Sequence, residues 1–150
     1  LRTAQILQRC TLSEAFGVGV AGRFSSNYDD VVMGRTIAEM RSAHAAALDR
    51  ALETAIDSLA ELPEVEKVIV FGSYQRGRRD LLTDLDLLVI MRSSESFLCR
   101  TERLYRLLGG KMRVDFDLVA YSSEEIARNA SNPFLKRALE EGRVVYERPG

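Results

Sequence analysis

Apolar and polar positions alternate with two distinct periods along this chain. From Thr36 to Leu62, apolar Ile37, Met40, Ala47, Leu48, Ala51, Leu52, Ala55, Ile56 and Leu59 recur at helical spacing, with His44 on the same stripe. Alanine is abundant there, which favours a helix, and Pro63 ends it. Val65 to Phe71 is short, mostly apolar and rich in β-branched residues, which predicts a strand buried on both faces. A short helix or turn is expected over Ser73–Arg78, a loop over Asp80–Thr83, and a second strand over Asp84–Met91. Phe97, Leu98, Leu104, Leu107 and Leu108 among charges predict an amphipathic helix over Glu95–Leu108, stopped by Gly109-Gly110. Met112–Tyr121 reads as a third strand with Asp115 and Asp117 embedded in it. Ser122 to Glu125 fits a capping box, in which hydroxyl and carboxylate satisfy exposed amides reciprocally, so a short helix should follow. Asn132-Pro133 opens a last helix, Gly142 closes it, and Arg143–Glu147 returns as a small edge strand.

Helices alternating with strands define an α/β (α+β) layer fold: a small mixed β-sheet flanked by helices. Residues before about 35 are expected to form an N-terminal arm. Leu1–Phe16 can be helical, giving a helical extension, but Gly17–Gly22 interrupts it and Ser25–Asp30 reads as loop. The domain proper is placed at residues 36–150.

Bulk properties narrow the classes. At 150 residues and 46% hydrophobic, the chain can bury one ordinary core. A formal charge of −1 gives no global attraction to nucleic acid or an anionic membrane, and leaves only local basic patches. No apolar run approaches the ~20 residues needed to span a bilayer. Cys10 and Cys99 fit neither a metal pattern nor a disulfide framework, and no charged-then-apolar leader opens the sequence, so the cytoplasm is the expected compartment.

The chemistry concentrates between the first two strands. Gly72-Ser73 follows one apolar run, and Asp84-Leu85-Asp86 opens the next, with ten residues between Ser73 and Asp84. Side chains at i and i+2 of a strand share a face, with roughly 6–7 Å between their Cα atoms. Asp84 and Asp86 therefore converge, as do Asp115 and Asp117. If the two strands are neighbours, such a cluster repels itself unless cations neutralise it or some members take up protons. Magnesium suits it, since it prefers oxygen ligands from few carboxylates and completes its shell with water and phosphates. Two ions about 4 Å apart would stabilise the attacking and leaving oxygens of an in-line phosphoryl displacement. A residue without Cβ lets backbone amides approach a triphosphate, and the Ser73 hydroxyl adds a donor. Arg76, Arg78 and Arg79 lie on the same loop, and Arg76 is assigned to phosphate. His44 is expected to be a packed or boundary residue, and Tyr74 and Tyr105 receive no role.

The run Gly72-Ser73-Tyr74-Gln75-Arg76-Gly77, the ten-residue interval and Asp84-x-Asp86 resemble the signature of the DNA-polymerase-beta-like nucleotidyltransferase superfamily. Within it, the likeness is to the small minimal nucleotidyltransferase group and covers about residues 36–147. The resemblance implies a nucleotidyltransferase fold, phosphate binding at Gly72 and Ser73, and metal binding at Asp84 and Asp86. The third carboxylate falls on Asp117, with Asp115 as the alternative, and would hold a metal and activate the acceptor hydroxyl. Implied too are Mg²⁺, two ions, and ATP as donor, with a nucleoside monophosphate transferred and pyrophosphate leaving. The group is often paired with a helical HEPN-type partner in toxin–antitoxin modules, the nucleotidyltransferase being the antitoxin that can adenylylate the toxin. That makes a HEPN-type protein the expected partner, with oligomerisation open. The N-terminal arm departs from the usual minimal domain.

Two other classes compete. An antibiotic- or metabolite-modifying nucleotidyltransferase usually needs a further helical domain for its acceptor, and only about thirty residues follow Asp117. A non-catalytic interaction module of the same fold would have no physical reason to keep a costly acidic cluster.

Overall fold

Alanine and leucine carry the first long helix. The computed structural model describes residues 35–150 and the strand at 31–32, so the expected helix, break and loop over residues 1–30 lie outside the described residues. The described chain parts into two units at Ile37. In the first, β1 (Val31–Val32) pairs antiparallel with β2 (Arg35–Thr36).

Helix α1 (Ile37–Ala60), in the second unit from Ala38 on, buries Leu48, Ala51, Leu52, Ala55, Ser58 and Leu59, the i, i+3, i+4 stripe of its second half. The chain turns through Leu62 and enters β3 (Val65–Phe71), where Val68, Ile69 and Val70 are all buried. This run is buried on both faces because β3 is an inner strand, as its lack of alternation predicts. One turn of helix, α2 (Gly72–Gln75), and a loop lead to β4 (Leu85–Met91). Helix α3 (Phe97–Gly109) starts at Ser96, whose side chain accepts from the Cys99 amide. Strand β5 (Phe116–Tyr121) follows, then α4 (Ser123–Arg128), with both hydrogen bonds of the expected Ser122–Glu125 capping box formed. Asn132 caps α5 (Pro133–Glu141), and Gly142 leads into β6 (Arg143–Glu147).

The sheet order is β5-β4-β3-β6, with β4–β5 parallel and the other two pairs antiparallel. Its faces are covered differently. Val68, Val70, Leu87, Val89, Leu118 and Ala120 meet α1 and α3 on one side. Ile69, Leu88, Val119 and Tyr121 meet Leu135 and Ala138 of α5 on the other. The expected small mixed sheet flanked by helices is therefore what forms.

The third strand needs correction. It begins at Phe116, so Asp115 precedes it rather than lying within it. Among the described residues, strand β5 lies at the sheet edge with β4 as its one partner, and β4 starts at Leu85, opposite Phe116. Upstream of that register the ladder has run out, apart from the Leu85 amide donating to the Asp115 carbonyl. Asp84 likewise stands one residue before β4.

Candidate active site

Strand β4 starts where β3 ends, because the two are antiparallel, and β5 starts beside β4 because those two are parallel. Phe71 pairs with Asp86, and Asp86 pairs with Asp117. Three strand ends thus place the Gly72-Ser73 step and carboxylates from two strands at one edge of the sheet. Alternation along β4 and β5 puts Asp86 in line with Leu88, and Asp117 in line with Val119, so both belong to the face that carries α5.

Gly72 has φ +72°, and a Cβ built there would overlap the Asp86 carboxylate, coming within 2.8 Å of its Cγ. Only glycine fits this corner, which brings the β3–α2 turn directly against Asp86. The Ser73 amide acts on Asp86 too, lowering its pKa, so the Gly-Ser step stands close to this carboxylate.

The electrostatics follow from these placements. Burial, then the negative charges of Asp117 and Asp84, push the Asp86 carboxyl up to about 6, while Arg76 and the Ser73 amide pull the other way. Asp84 is also raised, first by burial, then by Asp115 and Asp117, with His44 opposing. The four sequence-predicted carboxylates therefore feel one another, with Asp117 opposite Asp86 and Asp115 the first-ranking charge on Asp84.

The three loop arginines separate by role. Arg78 pairs with Asp80 at 2.8 Å. Arg79 donates to the carbonyls of Tyr74 and Arg78 and lies 3.7 Å from the Tyr74 ring centroid, so it braces the loop. Arg76 alone acts on Asp86, and its exposed side chain reaches Glu141 at 3.9 Å.

Three residues without a sequence-derived role also hold this edge. His44 Nε2 lies 3.0 Å from the Thr83 carbonyl, tying α1 to the residue before Asp84. Tyr74 donates to Asp49 at 2.6 Å, fixing α2 to α1. Tyr105 on α3 accepts from the Leu118 amide at 2.8 Å and lies 3.4 Å from Asp117 Oδ1. Tyr105 borders the apolar stripe of its helix, which is its one mark in the sequence, and its partners on β5 come from tertiary packing.

The donor set suits a hard divalent cation. It consists of carboxylate oxygens beside a glycine corner, and their mutual repulsion would be relieved by positive charge. As the side chains stand, no three His, Cys, Asp or Glu groups among the described residues are gathered tightly enough to hold an ion, so binding would require them to draw together. No described helix is long and apolar enough to cross a membrane.

The Gly-Ser step just after β3 and the Asp-x-Asp across the start of the antiparallel β4 thus stand together at one end of the sheet. Residues 53–149 match the family described as Polymerase beta, Nucleotidyltransferase. The chain belongs to this family. No curated protein matches it in sequence. Among solved structures, a mutant of the toxin–antitoxin MntA–HpeT is similar at 22% identity and a TM-score of 0.49, covering 65% of this chain and 72% of that one. A toxin–antitoxin crystallised with AMP-PNP is similar at 20% identity and a TM-score of 0.48, covering 67% and 73%. The tri-AMPylated Shewanella oneidensis HEPN toxin in complex with MNT antitoxin gives 19% identity and a TM-score of 0.40, covering 73% and 74%. Likenesses this distant say nothing of activity.

Proposed function

We propose that residues 36–150 are a magnesium-dependent nucleotidyltransferase domain preceded by an arm over residues 1–35, and that the domain transfers AMP from ATP to a hydroxyl of a protein partner. The observation that carries this reading is the register of Asp86 against Asp117 beside the Gly72 corner. Family membership supports nucleotidyl transfer as the reaction class.

Asp84, Asp86 and Asp117 would hold Mg²⁺. Asp117 is preferred over Asp115 because it lies directly opposite Asp86, whereas Asp115 falls before the strand. Bound there, the ions would neutralise triphosphate charge and polarise the α-phosphorus. The Ser73 hydroxyl and the Arg76 guanidinium would meet the phosphates. The acceptor oxygen would bond to the α-phosphorus, the bond to the bridging oxygen would break, and pyrophosphate would leave. The hydroxyl proton would pass to Asp117, which is exposed and reachable.

A HEPN-type toxin, with this chain as antitoxin in the cytoplasm, is the partner that the resemblance to the minimal nucleotidyltransferase group implies. The experiment is incubation with Mg²⁺ and ATP labelled in its α-phosphate, with and without the protein encoded next to it. Label on a hydroxyl of that neighbour, with pyrophosphate released, is expected. Neutralisation of the neighbour without label transfer, unchanged by substituting the aspartates, would overturn the catalytic reading in favour of binding alone. Label on an aminoglycoside-type acceptor instead would displace the protein-partner reading.

A further inference from the structure

Strand β5 has a free edge, and a side chain from α3 closes part of it. In the order β5-β4-β3-β6, the side of β5 away from β4 has no strand partner among the described residues. The Leu118 amide there donates to the Tyr105 hydroxyl at 2.8 Å. The Tyr105 ring is held by stacking on Phe116, with centroids 5.2 Å apart and planes at 26°. Ring and hydroxyl oxygen are thus fixed by Phe116 and Leu118, the two residues that flank Asp117 on its strand.

A phenol has one proton to donate. With its oxygen accepting from Leu118, the proton of Tyr105 has Asp117 Oδ1, 3.4 Å away, as its acceptor. This contact is long, and such bonds tighten when a site fills. It is the one hydrogen bond to the Asp117 side chain among the described residues, and it leaves Oδ2 without such a partner.

We propose that Tyr105 is a positioning residue for Asp117: it fixes one carboxylate oxygen from the free edge of β5 and so presets the other for a divalent cation shared with Asp86. The inference rests on the reading of Asp86 and Asp117 as metal-holding groups. It adds a residue outside the Gly-Ser and Asp-x-Asp motifs, supplied by a helix on the opposite face of the sheet. Groups that orient metal ligands from behind typically alter affinity by ten- to a hundredfold when removed, roughly.

The test is Mn²⁺ binding by the full chain, followed by electron paramagnetic resonance without nucleotide or acceptor. The proteins compared are wild type, Tyr105→Phe, Asp117→Asn and the double variant. Tyr105→Phe keeps the ring on Phe116 and removes only the hydroxyl. It should weaken Mn²⁺ binding roughly tenfold and leave the thermal midpoint within a few degrees of wild type. Added to Asp117→Asn, it should cause no further loss. An unchanged Mn²⁺ curve in Tyr105→Phe, or full additivity with Asp117→Asn, overturns the positioning role while leaving the site intact. Wild type that takes up no Mn²⁺ overturns the site reading itself, and the role of Tyr105 with it.

Discussion

Two charged groups on or beside β5 are treated in opposite ways by this fold. Arg100, 1% exposed, donates to the Ala120 carbonyl at 3.2 Å and the Glu95 carbonyl at 3.3 Å, and pairs with Glu125. Glu125 in turn accepts from the Ser122 amide at 2.8 Å, so the buried cation is satisfied by three segments and joined to the cap of α4. A few residues away on the same strand, Asp117 faces Asp86, and the nearby charges around Asp86 are mostly of its own sign. Only exposed Arg76 and one amide oppose them. Burying a charge is tolerable when the chain itself supplies the partner, and a cluster of like charges with Asp86 partly buried and the others exposed leaves room for a partner from outside. The first arrangement holds the molecule together, and the second is where the proposed cation would sit.

That contrast can be broken at either end. The largest effect is expected from Asp84→Asn with Asp86→Asn, which should cut nucleotidyl transfer by about 10³-fold or more while the protein stays folded. Label transfer and a melting curve check both halves, and retained activity would remove the site from consideration. Next comes Arg100→Met, which leaves Glu125 without its cation and two carbonyls without a donor. It should cost about 3 kcal/mol in urea unfolding. Adding Glu125→Gln, which keeps the cap but removes the charge, should restore part of that loss. Gly72→Ala should cost about 1–2 kcal/mol for its left-handed backbone, and should reduce transfer more than stability because the methyl displaces Asp86.

The smallest effect is a pH dependence. The Asp86 carboxyl, at about 6 in the folded chain against its usual 3.8, binds its proton more tightly folded than unfolded. That contribution to stability is complete below the unfolded value and is lost as pH rises through about 6. In chelator, wild-type stability should therefore fall over that window relative to Asp86→Asn. At pH 8 the variant should be the more stable by on the order of 1–2 kcal/mol, the shift being discounted for partial exposure. Parallel pH curves for the two proteins would show that burial and the neighbouring carboxylates do not raise the Asp86 pKa as placed.

Most elements were legible because their signals are local. The alanine-rich stripe ending before Pro63, the unalternating run at Val65–Phe71 and the Ser122–Glu125 box each act through neighbours within a few residues. The start of β5 was not legible, because Met112–Asp115 has strand-like composition and is denied a strand only by where β4 begins. Arg76, Arg78 and Arg79 look equivalent in sequence, and packing against Asp80 and Tyr74 separates them. Tyr105 and His44 carry no motif at all.

By itself the sequence determined the periodicity of each element, the glycine that the corner at residue 72 requires, and two carboxylates spaced to share a face. Those are consequences of backbone geometry and side-chain chemistry over short spans. Tertiary structure alone decided that Asp117 rather than Asp115 stands opposite Asp86, that the Gly72 corner packs against the Asp86 carboxylate, and that a tyrosine from α3 reaches the edge of β5. Each depends on register between distant segments, which is fixed by packing both faces of the sheet at once rather than by any single stretch of residues.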